Sequence, residues 1–318
     1  MHYKEKTVKL SQIDSKDDTF RITTEANIDD LTTSIKNVGL LNLPLLIKKN
    51  VTYTIVCGFR RIETCRRLGW SDLEARILAS DTKGLECAKY AIIDNAFHRP
   101  LNLIEKSRAI EMLSVFIKDN SSPAKELPAL GLPENQAVIK KIKNLCHLSQ
   151  PIQDSILSNT ISLSMALELG KLTQDAGETF AKIFKLLKLS LNKQREIITL
   201  IKEIALREDV SIIDVLEDGN LQAILTNEDL DRNQKTRKIR TYLNQRRFPA
   251  VTNAQKKFEK HLNELKLGSG TKLIPPEHFE GTTYTLKLSF KNLIELKDRN
   301  KTIDAIIQNP SLKKILPP

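Results

Sequence analysis

The sequence predicts an α+β protein in three parts: a mixed domain over residues 1–100, an all-helical domain over 101–248 and a small α-β-β-α unit over 249–318. Three observations carry this division. Through the first hundred residues, runs rich in β-branched and aromatic side chains alternate with amphipathic runs. From residue 103 to 225 only the helical period recurs, and a basic stretch follows. Beyond residue 249 a helical stripe gives way to two alternating runs and then a second stripe.

A chain of 318 residues, 40% of them hydrophobic, has material for roughly two or three domains with real cores. Its net charge of +11 favours a polyanionic partner, and its 5% aromatic content argues against base-stacking platforms for single strands. The four cysteines, Cys57, Cys65, Cys87 and Cys146, form no CxxC pair and have no histidine at ligand spacing. Neither a disulfide frame nor a zinc site is indicated, which fits a reducing cytoplasm. Residues 1–6 lack the apolar core of a signal peptide, and the greasiest stretch, 39–47, is short and interrupted by Asn42 and Pro44. The expectation is a soluble intracellular protein with no membrane partner.

In the first domain, residues 7–10 alternate as a strand, and residues 20–23 lead into a helix at 27–38. There Ile28, Leu31, Ile35 and Val38 share a face and Gly39 supplies the stop. Residues 45–47 and 53–56 flank a polar loop and predict a hairpin, followed by a helix at 62–68, a strand at 73–78 and a helix at 84–95. The junction between the hairpin and the helix is Gly58-Phe59-Arg60-Arg61. A glycine lets a ligand approach the backbone, a helix N-terminus presents unpaired N–H groups, and two guanidiniums can grip phosphate bidentately. The same four residues would also make a tight turn with solvated arginines.

This order of elements, together with the segments SIKNVGLLNLPLLI, CGFRRIETCRRLG and DNAFHRPLNLIEKSRA, resembles the ParB family of partition proteins over roughly the first third of the chain. The resemblance implies a ParB/sulfiredoxin-like domain that binds a nucleotide, typically CTP, with Mg2+. Carried over by position, Gly58, Phe59, Arg60 and Arg61 would lie at the triphosphate, while Asp94 and Asn95 would serve the metal, Asn95 also meeting phosphate. Arg21, Asn42, His98 and Arg99 complete the implied nucleotide site. The chain departs from the family where Phe59 replaces a glutamate, where Asp94 replaces a longer glutamate, and where His98-Arg99 shift an arginine by one place. Loss of the carboxylate at 59 should weaken hydrolysis more than binding, leaving at most a weak CTPase. In sulfiredoxin a reactive cysteine occupies the slot of Phe59. Cys57 lies on the presumed strand end, where a buried thiol is the commoner role.

Residues 103–117 predict a linking helix that ends at 120–123, where Ser121 or Ser122 could cap the next element. A short helix at 125–130, with Pro128 distorting it, a turn at Gly131 and a longer helix at 133–145 fit a helix-turn-helix. Val138, Ile142 and Leu145 would face inward, leaving Asn135, Gln136, Lys140, Lys141, Lys143 and Asn144 outside. Residues 130–172 resemble the ParB helix-turn-helix and the helices after it, apart from Pro133-Glu134 at the start of the second helix. Asn135 and Gln136 could read adenine edges, while the lysines would position the duplex through its phosphates.

Residues 173–209 carry core stripes, and 211–225 make a helix pair around Gly219. Arg237, Lys238, Arg240, Arg246 and Arg247 then fall in a basic run that fits either a solvated linker helix or a contact to DNA phosphates. In the last unit, a helix at 253–267, strands at 271–275 and 283–290 and a helix at 292–307 form too small a core to stand alone. Pairing with a second copy would cover it, as in the ParB dimerisation domain that the order resembles; docking on its own chain is the alternative. The whole reads as a nucleotide-switched dimeric clamp on double-stranded DNA, cytoplasmic and nucleoid-associated, with a ParA-type ATPase among its candidate partners. A transcription regulator without nucleotide switching, or a phosphotransferase or nuclease of the same fold, would use the same elements.

Overall fold

The computed structural model describes residues 2–96, 99–116 and 127–316. The chain divides into two compact units, residues 1–191 and 192–318.

The first unit opens with a four-stranded sheet in the order β1-β4-β2-β3, built from β1 (Tyr3–Lys9), β2 (Leu45–Lys49), β3 (Thr52–Cys57) and β4 (Asp72–Leu78). β1 and β4 run antiparallel, β4 and β2 parallel, and β2 and β3 form the predicted hairpin, with an irregularity between Leu45 and Leu46. β1 is longer than the alternation at 7–10 suggested, because its first residues are solvent-facing edge positions with no apolar signature. α1 (Asp29–Val38) and α2 (Phe59–Arg67) pack against each other, and α3 (Gly84–Ala96) packs on β3. Ile55, Val56, Ile62, Cys65, Ala91 and Ile92 are buried and belong to this domain's core.

α4 (Leu103–Phe116) runs on from this domain and carries α5 (Gln136–Lys143) and α6 (Gln150–Leu157). Its start is fixed by Asn102, whose Oδ1 accepts the Glu105 N–H at 2.9 Å while Glu105 accepts the Asn102 N–H at 3.1 Å, a reciprocal capping box. Ser107 ties α4 to the end of α5, donating to the Lys143 carbonyl and accepting from the Cys146 N–H, both at 2.8 Å. α5 is shorter than the expected 133–145. Asn135 caps it, accepting from the N–H groups of Ala137 and Val138, and a 3-10 turn at Asn144–His147 follows. Ile139, Ile142 and Leu145 face inward, whereas Val138, expected inside, is exposed. Of the short helix expected at 125–130, a 3-10 turn at Pro128–Leu130 is observed, closed by Gly131; residues 117–126, with Lys125 and the candidate caps Ser121 and Ser122, lie outside the described residues. α7 (Leu163–Leu169) and α8 (Gln174–Leu187) complete the unit around Phe180 and Phe184.

The second unit contains α9 (Leu191–Glu208), α10 (Ile212–Leu216), α11 (Gly219–Thr226), α12 (Arg232–Arg247) and α13 (Pro249–Leu265). A two-stranded antiparallel sheet, β5 (Thr271–Ile274) with β6 (Thr285–Leu288), then precedes α14 (Leu293–Gln308) and α15 (Pro310–Ile315). α15 escaped the sequence pattern because it is only six residues long. Its Ile315 joins Phe258 and Leu265 in a small core to which Leu262, Leu273, Tyr284 and Leu312 add partly buried surface. Phe290, Leu293, Ile294 and Ile307 remain exposed. Among the described residues, no helix is long and apolar enough to cross a membrane.

Candidate functional site

Gly58 is the pivot of the junction between β3 and α2. Its φ of +92° is the left-handed conformation that a side chain disfavours, and a Cβ there would come within 2.9 Å of the Pro44 Cβ and 3.1 Å of the Pro44 Cα. The turn brings Arg60 and Arg61 to the wall of a cleft of about 580 Å3. Asn42, Gly58, Phe59, Arg60, Arg61, Asp94, Asn95 and Arg99 all line it, so most of the expected nucleotide and metal residues converge. Arg21 does not line it. Its guanidinium pairs with Glu63 at 2.9 Å and lies 5.5 Å from the centroid of the Phe59 ring, and the residue lines a second cleft. His98 lies outside the described residues.

Each arginine of the cleft already faces a carboxylate. Arg60 donates to Glu25 Oε2 at 2.9 Å and to the Asn27 carbonyl at 2.6 Å, leaving its buried Nε without an acceptor among the described residues. Arg61 donates to Asp94 Oδ2 at 3.0 Å and to the Asn42 and Leu43 carbonyls, so it also shapes the loop opposite. Arg76 reaches Glu5 at 3.3 Å, and Arg99 grips Glu105 through both terminal nitrogens, at 2.6 and 2.7 Å. Burial alone would raise the Glu105 carboxyl. Arg99 and the N–H groups of Thr24 and Asn102 more than offset that and hold it below the ordinary range.

Asn95 spends its Nδ2 on the Ala91 carbonyl at 2.8 Å, which leaves Oδ1 as an oxygen donor beside Asp94. Among the described residues, no group of three or more His, Cys, Asp or Glu side chains could hold a metal by itself. One carboxylate and one amide oxygen suit Mg2+ only as an ion that arrives on phosphates and keeps several waters.

The profile of the ParB N-terminal domain family matches residues 2–96. The first third of the chain is a ParB N-terminal domain. Among relatives, a nucleoid occlusion protein of Halalkalibacterium halodurans is 28% identical over 155 residues, covering 49% of this chain and 53% of that protein. A probable chromosome-partitioning protein ParB of Rickettsia felis is 27% identical over 139 residues, covering 44% and 46%. The chain thus spans about half the length of the curated relatives it matches. The C-terminally truncated ParB of Caulobacter crescentus, solved with CTP-gamma-S, is 19% identical, covers 57% of this chain and 98% of that one, and gives a TM-score of 0.27.

In this ParB N-terminal domain the thiols are not poised for chemistry. Burial pushes Cys65 and Cys87 up to about 11 and raises Cys57 as well, and Cys57 is buried on β3. Sequence reasoning missed Glu25, Thr24 and Glu105. The Asn102-x-x-Glu105 spacing of a capping box was the one signal present.

Downstream of the ParB N-terminal domain, the candidate DNA contacts divide into two kinds. Lys140, Lys141 and Asn144 are exposed on α5 and the turn after it, Lys143 pairs with Glu111 at 3.5 Å, and Gln136 opens α5 behind its cap, Asn135. On α12, Arg237 and Lys238 are exposed, whereas the other three basic residues are committed within their own unit. Arg240 pairs with Glu196 at 2.9 Å, Arg247 with Glu203 at 2.8 Å, and Arg246 with Glu208 at 2.6 Å and Asp218 at 3.3 Å.

Proposed function

We propose that this chain is a ParB-type DNA-binding protein of the partition and nucleoid-occlusion class whose N-terminal cleft holds a nucleoside triphosphate, CTP by the family resemblance, as a switch. The observation that carries the reading is the left-handed Gly58 turn, which brings Arg60 and Arg61 to the lining of a 580 Å3 cleft that Asp94 and Asn95 also line. Arg60, Arg61 and Arg99 would take the phosphates, and Gly58 would let them approach the backbone at the start of α2. Asn42 would line the same pocket, and Asp94 with Asn95 would hold Mg2+ carried on the triphosphate. The bound ion would neutralise phosphate charge. Arg21 acts from behind, through Phe59.

Phe59 is buried and offers no carboxylate, and the two carboxylates at the cleft are both engaged by arginine. Holding the nucleotide is therefore the favoured role, with hydrolysis slow or absent. In the three-part division at 100/101 and 248/249, the helices around α5 act as a helix-turn-helix, with Asn135 and Gln136 at base edges and Lys140, Lys141, Lys143 and Asn144 on the backbone. Arg237 and Lys238 add sequence-independent contacts. The exposed Phe290, Leu293, Ile294 and Ile307 support a homodimer formed through the C-terminal unit, since a small unit gains most by burying such a face on its own copy. A cytoplasmic, nucleoid-associated setting and a ParA-type ATPase belong to the same reading.

Isothermal titration of the full chain with CTP, ATP and GTP, with and without Mg2+, tests it. Heat with Mg2+ and CTP, lost in Arg60→Ala at unchanged thermal stability, is the expected result; no heat with any nucleotide overturns the switch.

A further inference from the structure

From the contacts around Arg60 we infer that Glu25 is a built-in competitor of the ligand for this arginine, and so sets how tightly the cleft holds a polyphosphate. The inference rests on the nucleotide reading above. Arg60 keeps one donor unserved: its two terminal nitrogens meet Glu25 and the Asn27 carbonyl, while its Nε is buried with no acceptor among the described residues. A buried donor without a partner is costly. The Glu25 contact therefore occupies the guanidinium without completing it, and an incoming phosphate, with three oxygens, could serve both edges.

Glu25 is also placed to stay where it is. Its neighbour Thr24 donates its N–H to Glu105 Oε1 at 3.1 Å, and the Thr24 hydroxyl accepts from Asn102 Nδ2 at 2.8 Å. Glu105 is fully buried and is itself held by Arg99 and the capping box. The segment that carries Glu25 is thus pinned one residue away, which keeps its carboxylate within reach of Arg60. A carboxylate in that place also repels the ligand's own charge. Phosphate binding must exchange Glu25 for itself at Arg60, and the carboxylate must turn out to solvent, to which its side chain is already 47% exposed.

The test is titration of Mg2+-CTP and of inorganic tripolyphosphate into the wild-type chain, Glu25→Gln and Glu25→Ala, with melting temperatures measured alongside. Both variants should bind tighter than wild type, by about fivefold for an ion pair at the upper end of the partly exposed range. If wild type binds and both variants bind equally or more weakly, Glu25 orients Arg60 and the competitor assignment is overturned, while the nucleotide reading stands. If neither wild type nor variants bind either probe, both fall. Binding by the variants alone would support the inference in its strongest form. Simple damage to the fold would lower the melting temperature and could not raise affinity.

Discussion

Arg99 and Glu105 form a two-pronged ion pair, at 2.6 and 2.7 Å, in which the carboxylate is fully buried and the arginine, 39% exposed, lines the cleft. The pair joins the end of the ParB N-terminal domain to the first turn of α4, and Thr24 adds a third strand of chain to the same carboxylate. Replacing Glu105 by glutamine keeps the shape and removes the charge. The expected cost is about 1.5–3 kcal/mol, the range for a hydrogen bond to a charged group, moderated because Arg99 regains water. Urea denaturation of Glu105→Gln against wild type measures it, and an unchanged midpoint would contradict the role assigned to the pair.

Acid should find the same contact. Because the folded-state pKa of Glu105 is lowered below its ordinary 4.5, its contribution is fully present above that value and is lost as pH falls through the lowered one. The melting temperature of wild type should therefore fall more steeply below pH 4.5 than that of Glu105→Gln. Parallel profiles for the two proteins would show that this carboxylate is not the group being titrated.

Gly58→Ala is expected to damage the cleft more than the fold. The left-handed backbone costs a side chain about 1–2 kcal/mol, and the added methyl meets Pro44, which must shift. Since Pro44 adjoins the carbonyls that Arg61 holds, the cleft wall moves with it. Loss of nucleotide heat with a melting temperature only a few degrees lower is the expected pattern.

On α12, the ion pairs separate residues that hold the unit together from residues available to a polyanion. Arg237→Ala with Lys238→Ala should reduce the magnitude of the slope of log affinity for duplex DNA against log salt by up to about 1.8, at 0.9 per phosphate contact. Arg240→Ala or Arg246→Ala should instead lower stability, since Glu196 loses its partner, or Glu208 keeps only Arg207 and Asp218 loses its arginine. Salt titrations by fluorescence anisotropy, with melting curves, distinguish the two; the opposite pattern would place the DNA surface elsewhere.

Removing the cap of α5 gives a narrower test. Asn135→Ala deletes the acceptor for two backbone N–H groups and should cost about 1 kcal/mol. If Asn135 also reads a base, discrimination among DNA sequences should fall further than that stability loss explains.

Much of this was written locally enough to be read from the chain. The hairpin, the Gly58 turn and the sequence of helices follow from period, β-branching and glycine placement within ten residues or so of each element. The partners of the arginines do not. Glu25 meets Arg60 across 35 positions and Thr24 meets Glu105 across 81, and nothing in composition marks one glutamate among many as the one that returns. The face of α5 was misread for a local reason: Val138 and Ile139 are adjacent, and either fits helical spacing with Ile142, at i+4 or i+3, so the period alone does not choose between them. The pairing of α12 was hidden because a run of arginines looks the same whether its partners are phosphates or the acids of a neighbouring helix.

The matched charges of the cleft have a consequence for which anions can enter it. A chain with a net charge of +11 attracts polyanions in general, yet Arg60, Arg61, Arg76 and Arg99 each already have a carboxylate at hand. A phosphodiester brings a single charge per phosphate and a bulky chain on both sides, too little attraction and too much volume to dislodge them. Any anion entering the cleft must exchange with these acids, which favours a ligand with several charges close together over a polymer with one per repeat.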